Sequence, residues 1–262
     1  MLHIAAAVQA AALVTLLSAA ASGTDQPCFP APSCYSARVP ATLDLAERAR
    51  LALHALVESA DPATGYVSIW WGADIARNPP VLFRPYGYLY GKFAEALPRL
   101  RLITGPAADV EVDRAWAQEL ERMLSGADIP GGPLGVDGGR YLAAAALHYA
   151  IEQDPRWRAL GENHIRRIQG FKDMGEYGYF EPPPTGWGAT FLGWGIQGLT
   201  EFYKQTSDPL AGELTPKLAH YLKDHAQVFD AEGHFLARHD SARGPALHFH
   251  HNANALEALS EY

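Results

Sequence analysis

The amino-acid sequence predicts an all-α protein in which helical hairpins form two concentric layers, an α/α toroid. From residue 42 onward, charged amphipathic helices alternate with helices that are apolar on nearly every side. This alternation recurs about every 50 residues, a period typical of helical-hairpin repeats. A helix without charge on any side has to be buried, so these helices are expected to form an inner layer. An armadillo-like solenoid is the alternative architecture, although it would expose both faces of its stack.

Composition limits the class of protein. The 262 residues are 48% hydrophobic and 19% charged, which permits a sizeable core and excludes a disordered chain. Lys and Arg total 21 against 29 Asp and Glu, and the net charge of -8 argues against nucleic acid as a partner. One apolar stretch approaches membrane-spanning length, and because it lies at the N-terminus, a polytopic membrane protein is excluded.

Residues 1–21 are predicted to be a signal peptide. The stretch is rich in Ala, Leu and Val and closes with the small residues Ala19 to Ser22, which suit signal peptidase. The n-region contains no Lys or Arg, so a retained anchor is the alternative. We expect a periplasmic or extracellular protein that has no other contact with a membrane.

The two cysteines lie in a linker predicted over residues 22–40. Cys28 and Cys34 are six residues apart, and in an oxidising compartment they can close a small disulfide loop. A zinc or redox pair is the alternative, but two thiols cannot complete a tetrahedral zinc site. The sequence therefore predicts a disulfide between Cys28 and Cys34.

Amphipathic segments with clear end signals are predicted to be the outer helices. The first carries leucines among charged residues and stops before the turn at Asp61 to Gly65. Asp154-Pro155 and Asp208-Pro209 each supply an N-cap and a first-turn proline for the last two. The predicted outer helices are 42–58, 112–124, 156–168 and 210–229.

The inner helices are predicted from segments that are apolar around most of their circumference. Tyr141 to Ile151 contains no formal charge, and Trp187 to Tyr203 is uncharged before Glu201 and contains glycines that allow close helix contact. The chain is predicted to enter these helices at Tyr86, Asp137, Trp187 and His248, which are 51, 50 and 61 residues apart. The predicted inner helices are 86–104, 141–151, 187–203 and from about 246 to the end of the chain.

Residues 41–262 are predicted to be an incomplete toroid. A ring of six hairpins needs about 300 residues after the leader, so four to five of the six should be present in this C-terminally truncated domain. The last inner helix then lacks an outer partner. We expect its apolar residues Leu247, Leu256 and Leu259 to be uncovered.

Three motifs add a resemblance to a known family. Residues 91–97 read Gly-Lys-Phe-Ala-Glu-Ala-Leu, residues 195–199 read Gly-Ile-Gln-Gly-Leu, and residues 248–252 read His-Phe-His-His-Asn. Together they resemble bacterial six-hairpin glycosidase-like proteins, which include hydrolases acting on uronic acids and arabinofuranosides. The resemblance implies a carbohydrate-active enzyme that binds an oligosaccharide or polysaccharide in the central depression of the ring.

Candidate substrate-binding residues lie just before the inner helices or in their first turns, because these helix ends converge in a toroid. Trp and Tyr offer flat apolar faces to a sugar ring and a polar edge to its hydroxyls. By contrast, Trp157 and Trp194 lie inside predicted helices and are expected in the core. The predicted substrate-binding residues are Trp70, Trp71, Arg84, Tyr86, Tyr88, Arg140, Trp187, His248, His250, His251 and Asn252.

Asp137 is the leading catalytic candidate. It stands in Gly-Val-Asp-Gly-Gly-Arg at the start of an apolar helix, whose N-terminal amides are expected to hold it ionised. The alternative is a plain N-cap aspartate. Glycoside hydrolysis usually needs two carboxyl groups, and the candidate partners are Asp74, Glu176 and Glu181, all in loops rich in aromatic residues and glycine.

The C-terminal histidines raise the question of a metal. His248 and His251 share a helix face, but no carboxylate lies at ligand spacing and Asn252 is a poor zinc ligand. We therefore predict no metal and no cofactor, and a role for these histidines in substrate binding. Two other functions remain open: a polysaccharide lyase with a His or Tyr base beside an Arg, and a non-catalytic helical protein that binds a glycan or partner.

Overall fold

The computed structural model describes residues 44–65, 72–74, 81–83, 90–105, 110–126, 134–236, 238–241, 244–246 and 249–262. Over these residues the protein is all-α, as predicted. The helices are α1 (Leu45–Ser59), α2 (Tyr90–Thr104), α3 (Val110–Ser125), α4 (Val136–Glu152), α5 (Pro155–Arg166), α6 (Gly186–Ala189), α7 (Leu192–Thr206), α8 (Pro209–Asp224) and α9 (Phe249–Glu261).

The helices pack in two layers. In the inner layer α2, α4, α7 and α9 stand in a row, each against the next. Behind them, α3 and α5 pack against α4 and against each other, while α8 packs against α7. The assignment of helices to the inner and outer layers follows the predicted alternation of mostly apolar and amphipathic helices.

Helices α4 and α7 make the closest approach in the inner layer. A Cβ atom added to Gly139 would lie 2.1 Å from the carbonyl oxygen of Trp194, and one added to Gly198 would lie 2.1 Å from the carbonyl oxygen of Gly139. Only hydrogen fits at either position, so main-chain atoms of the two helices are in direct contact. Of the glycines in the predicted inner helix 187–203, Gly198 has the expected role against α4 and Gly193 against Asn254 of α9, whereas a Cβ atom at Gly188 would meet no atom within 4 Å.

Both tryptophans expected in the core are buried. Trp157 is fully buried; its ring stacks on His148 at 4.5 Å between centroids, and its Nε1–H donates to Glu152 at 2.8 Å. Trp194 is 3% exposed and lies at the N-terminal end of α7. The helix caps also agree with the sequence: Asp154 accepts from the amide of Arg156 and Asp208 from that of Ala211, both at 2.8 Å.

The structure corrects the prediction for the segments that join outer to inner helices. Three of these segments contain two-stranded antiparallel hairpins in place of loops. The sequence did not reveal these strands, because three residues are too few to give a recognisable alternation. Helix α4 begins at Val136, one residue before the predicted entry at Asp137 and five before the uncharged run. The predicted helix 187–203 is divided into α6 and α7. The hairpins are β1 (Gly72–Asp74) with β2 (Val81–Phe83), β3 (Phe171–Asp173) with β4 (Gly178–Phe180), and β5 (His239–Ser241) with β6 (Gly244–Ala246).

The predicted apolar face of α9 is only partly exposed. Leu256 is 49% exposed, whereas Leu259 packs partly buried against the core. Leu247, the predicted signal peptide and the cysteines Cys28 and Cys34 lie outside the described residues. None of the described helices combines the length and the apolarity that a bilayer crossing requires.

Candidate functional site

The N-terminal turns of α2, α4, α7 and α9 lie side by side, and we call this region the inner-helix end. Gly91 of α2 contacts Asp137 of α4, and Gly139 of α4 contacts Trp194 of α7. Asn254 of α9 donates a hydrogen bond to Gln197 of α7 at 2.8 Å. The four inner helices therefore run in the same direction and present their first turns on one side.

Asp137 is fully buried at this end. Its Oδ1 accepts a hydrogen bond of 2.9 Å from the backbone amide of Gly91, in the first turn of the neighbouring helix α2. The N-cap of its own helix is Gly135, so the interpretation of Asp137 as a plain N-cap is wrong. Its Oδ2 is buried and has no hydrogen-bond partner among the described residues.

The environment of Asp137 changes its protonation. Burial raises the pKa of Asp137 from 3.8 to about 7, against the opposing effects of the Gly91 amide, Arg140 and Lys92. The expectation that helix amides hold this carboxyl group ionised is therefore wrong, because the loss of water outweighs them. A carboxyl group with a pKa near 7 can hold and release a proton at neutral pH.

Arg140 lies one helical turn after Asp137, but it forms its ion pair with Glu95 of α2. Its Nη1 donates to Oε2 of Glu95 at 2.9 Å, and the other oxygen of Glu95 accepts from Arg99, also at 2.9 Å. The Arg140 guanidinium lies 5.8 Å from the centre of the Trp194 ring, within the range of a cation–π contact. Glu95 thus connects Arg140 to α2, while Trp194 places it beside α7.

Aromatic rings and histidines form a cluster between α6, α7 and α9. The His251 ring lies 5.1 Å from Trp187, 4.8 Å from Phe191 and 5.2 Å from Trp194. His250 is exposed, with its ring 5.8 Å from that of Trp194. The structure therefore brings together four predicted substrate-binding residues, Arg140, Trp187, His250 and His251, and Asn252 follows them, buried, in α9.

Glu176 and Glu181 are placed differently. They belong to the turn and the end of the β3–β4 hairpin, which packs against the outer helix α8, and both are exposed. The carbonyl of Glu176 accepts from His220 of α8 at 2.9 Å, and Glu181 pairs with Lys172 at 3.4 Å. The charges that act on the pKa of Asp137 are those of Arg140 and Lys92, so a pairing of Asp137 with Glu176 or Glu181 stays a prediction.

Other predicted residues fall outside the description. Asp74 belongs to β1, but its side chain is outside the described part of the structure. The proposed role of Asp74 therefore stays a prediction. The same holds for the predicted residues that lie outside the described ranges, which are Trp70, Trp71, Arg84, Tyr86, Tyr88 and His248.

One group of possible metal ligands occurs among the described residues. Oxygen and nitrogen atoms of Asp230, Glu232 and His234 lie within 4.8 Å of one another on the surface. The Asp230 carboxylate accepts from the amides of Glu232 and His234, at 3.0 and 2.7 Å, and contacts the His234 ring nitrogen at 2.9 Å. These bonds stabilise a turn, which accounts for the group.

Sequence reasoning missed Glu95, Lys92 and Phe191. Lys92 is half-buried beside Asp137; burial and Arg140 lower its pKa, and Asp137 raises it. Lys92 and Glu95 both lie in the motif 91–97, and the available signal was the presence of charged residues on a helix predicted to be an inner one. Phe191 follows Thr190 where the predicted helix is interrupted, and nothing in the sequence marked that break.

Comparison with known proteins does not identify a family for this site. Neither the helix motifs nor the arrangement at the inner-helix end can be assigned through a relative, so the resemblance to six-hairpin glycosidase-like proteins stays a prediction. Searches of protein-family models, of curated proteins and of solved structures find no match to this chain.

Proposed function

We propose that the protein is a secreted or periplasmic glycoside hydrolase that cleaves an oligosaccharide bound at the inner-helix end. In this proposal Asp137 donates its proton to the glycosidic oxygen as the bond from that oxygen to the anomeric carbon breaks. A water molecule adds to that carbon and gives its proton to a second carboxylate, for which Asp74 stays the predicted candidate. The observation that carries the proposal is the buried Asp137 carboxyl group, whose pKa is about 7. This group lies beside Arg140, and Arg140 in turn lies near the cluster of Trp187, His250 and His251.

The chemistry of Asp137 suits a general acid. Acid catalysis is most efficient when the pKa of the donor lies near the working pH. Its Oδ1 is held by the Gly91 amide, whereas Oδ2 has no hydrogen-bond partner among the described residues. Because the side chain is buried, the substrate has to uncover Oδ2 when it binds.

The neighbouring residues suit a sugar. Trp187 is partly exposed and offers an aromatic face to the C–H side of a pyranose. His250 and Arg140 offer hydrogen-bond donors to hydroxyl groups, and the positive charges of Arg140 and Lys92 favour an acidic sugar. These features support the uronic-acid-containing or arabinose-containing oligosaccharides that the family resemblance implies.

The toroid is the finer architecture of this proposal. It is supported by the row of inner helices α2, α4, α7 and α9 with α3, α5 and α8 packed behind it.

A polysaccharide lyase is the second candidate. Among the described residues, the charged groups that affect Asp137 are Arg140 and Lys92, with no carboxylate beside it. Elimination next to a uronic carboxylate uses a cation that binds the carboxylate and a base such as His or Tyr, and Arg140, His250 and His251 provide these groups.

A panel of oligosaccharides and polysaccharides tests the proposal. New reducing ends without ultraviolet absorbance indicate hydrolysis, and absorbance from unsaturated uronides indicates elimination. Binding without either product would replace the proposal with the non-catalytic glycan-binding function.

On the substrate so identified, Asp137→Asn should lower turnover by a factor of about 100 or more, because Asn keeps the acceptor for the Gly91 amide but cannot give a proton. Glu162→Gln is the matched control, since Glu162 is bound to Arg158 and Arg166 on the outer helix α5, and it should keep turnover close to that of the native protein. Native turnover in a folded Asp137→Asn variant would rule out Asp137 as the acid.

A further inference from the structure

Two carboxyl groups near the inner-helix end could bind the same guanidinium. Arg140 follows Asp137 by three residues on α4, a spacing at which side chains on one helix face meet. Its Nη1 is nevertheless bound to Glu95 of α2, at 2.9 Å. The Oδ2 of Asp137 and the Nε of Arg140 are both buried without hydrogen-bond partners among the described residues.

We propose that Glu95 is a positioning residue of this site, which holds the Arg140 guanidinium against Trp194 and away from the carboxyl group of Asp137. Its effect is to leave one oxygen of Asp137 available for proton transfer. The catalytic meaning of this effect rests on the proposed function, whereas the placement of Arg140 does not.

The contacts of Glu95 favour its pairing with Arg140 over a pairing of Arg140 with Asp137. Each of its two oxygens accepts from a different arginine, Arg99 and Arg140, and its side chain is 15% exposed. Charge-assisted bonds of this kind are about twice as strong as neutral ones. Arg99, four residues later on the same helix, keeps Glu95 in place when Arg140 binds to it.

The alternative contact would change the chemistry of Asp137. An arginine that binds a carboxylate directly favours the charged form and lowers the pKa by about 1 to 3 units. A carboxyl group in that state has released its proton before a substrate arrives at neutral pH. The proton-donating role of Asp137 therefore depends on Arg140 being held by another group.

The other groups that face Asp137 remain the same when Glu95 is changed. Gly91 and Lys92 face it from α2, and Arg140 and Tyr141 face it from α4. Burial and then the charge of Asp137 raise the pKa of Tyr141, so this group stays neutral. Residues 192–200 of α7 contain no ionisable side chain.

The test is the pKa of the Asp137 carboxyl group, measured by carbon NMR with Asp137→Asn used to assign the signal. In Glu95→Gln, Arg140 is released and we expect the pKa of Asp137 to fall by about one unit or more. Glu162→Gln is the matched control, since Glu162 also binds two arginines, Arg158 and Arg166, but on the outer helix α5. This control should leave the pKa of Asp137 unchanged.

The double variant Glu95→Gln/Arg140→Gln covers the case in which Glu95→Gln alone does not fold. It removes both charges, so no unpaired guanidinium remains, and the pKa of Asp137 should equal or exceed that of the native protein. An unchanged pKa in folded Glu95→Gln, or a lowered pKa in the double variant, would overturn the inference.

Activity separates this inference from the proposed function. On a hydrolysed substrate, the alkaline limit of kcat in Glu95→Gln should move to lower pH together with the pKa of Asp137. A fall in the pKa in a protein that hydrolyses no oligosaccharide would refute the hydrolase and keep the role of Glu95. If the protein is an active hydrolase but the pKa of Asp137 does not change in Glu95→Gln, the hydrolase proposal stands and the role of Glu95 is refuted.

Discussion

The inner-helix end and the β3–β4 hairpin both carry predicted catalytic carboxyl groups, in opposite surroundings. Asp137 is fully buried between α2 and α4, and its pKa is about 7. Glu176 and Glu181 are exposed on a hairpin that packs on the outer helix α8. Acidic residues near glycines and aromatic residues are present in both regions. Burial in the inner layer is therefore what allows Asp137 to keep a proton at neutral pH.

The largest expected effect is on the pH dependence of stability. Between pH 3.8 and about 7 the folded state keeps a proton on Asp137 that the unfolded chain has released, so the free energy of unfolding falls as pH rises. The loss amounts to about 4 kcal/mol once the pH exceeds 7. Asp137→Asn should match the native stability at about pH 4 and exceed it at about pH 8, as measured by urea unfolding.

Comparing the two proteins at both pH values supplies the control for this measurement. Effects of the substitution that do not involve the carboxyl proton are the same at each pH. A stability difference between native protein and Asp137→Asn that is constant from acid to alkaline pH would contradict the buried, protonated state of Asp137.

A smaller effect distinguishes the packing of the two regions. A Cβ atom at Gly139 would lie 2.1 Å from the main-chain oxygen of Trp194, whereas one at Gly178 of the hairpin would lie 2.2 Å from the ring of Phe171. The main chain of α7 cannot move without its helix, but a ring can rotate. We expect Gly139→Ala to lose about 3 kcal/mol and Gly178→Ala about 1 kcal/mol in urea unfolding. Equal losses would show that the hairpin is packed as rigidly as the inner layer.

The sequence predicted the layers better than the site. The uncharged run from Tyr141 to Ile151 correctly identified a helix that is buried from Tyr141 to Leu147, because such burial requires that composition; the last turn is partly exposed, with Ile151 44% exposed. The hydrogen bond from Gly91 to Asp137 joins residues 46 positions apart, and no local pattern encodes it. For Glu95 the visible signal was its spacing of four residues from Arg99, which is common on helices and says nothing about Arg140.

The smallest effect concerns an ion pair on the hairpin. Lys217 of α8 donates to Asp173 of β3 at 2.5 Å, and this bond holds the pKa of Asp173 below its usual value. Exposed pairs contribute little to stability, so Asp173→Asn should change Tm by less than about 2 °C. The change should vanish at high salt, and thermal unfolding with and without salt measures it. A change as large as that of Gly139→Ala would mean that this hairpin contributes to the core.

The contact between Gly139 and Gly198 has a consequence for how the protein can diversify. Because main-chain atoms meet there, the spacing between Arg140 and Trp194 does not depend on the size of any side chain in that contact. Residues that face a ligand, such as Trp187 and His250, can therefore be exchanged while the framework behind them keeps its dimensions. Libraries aimed at a new sugar preference should vary these two positions and leave the glycines of α7 unchanged.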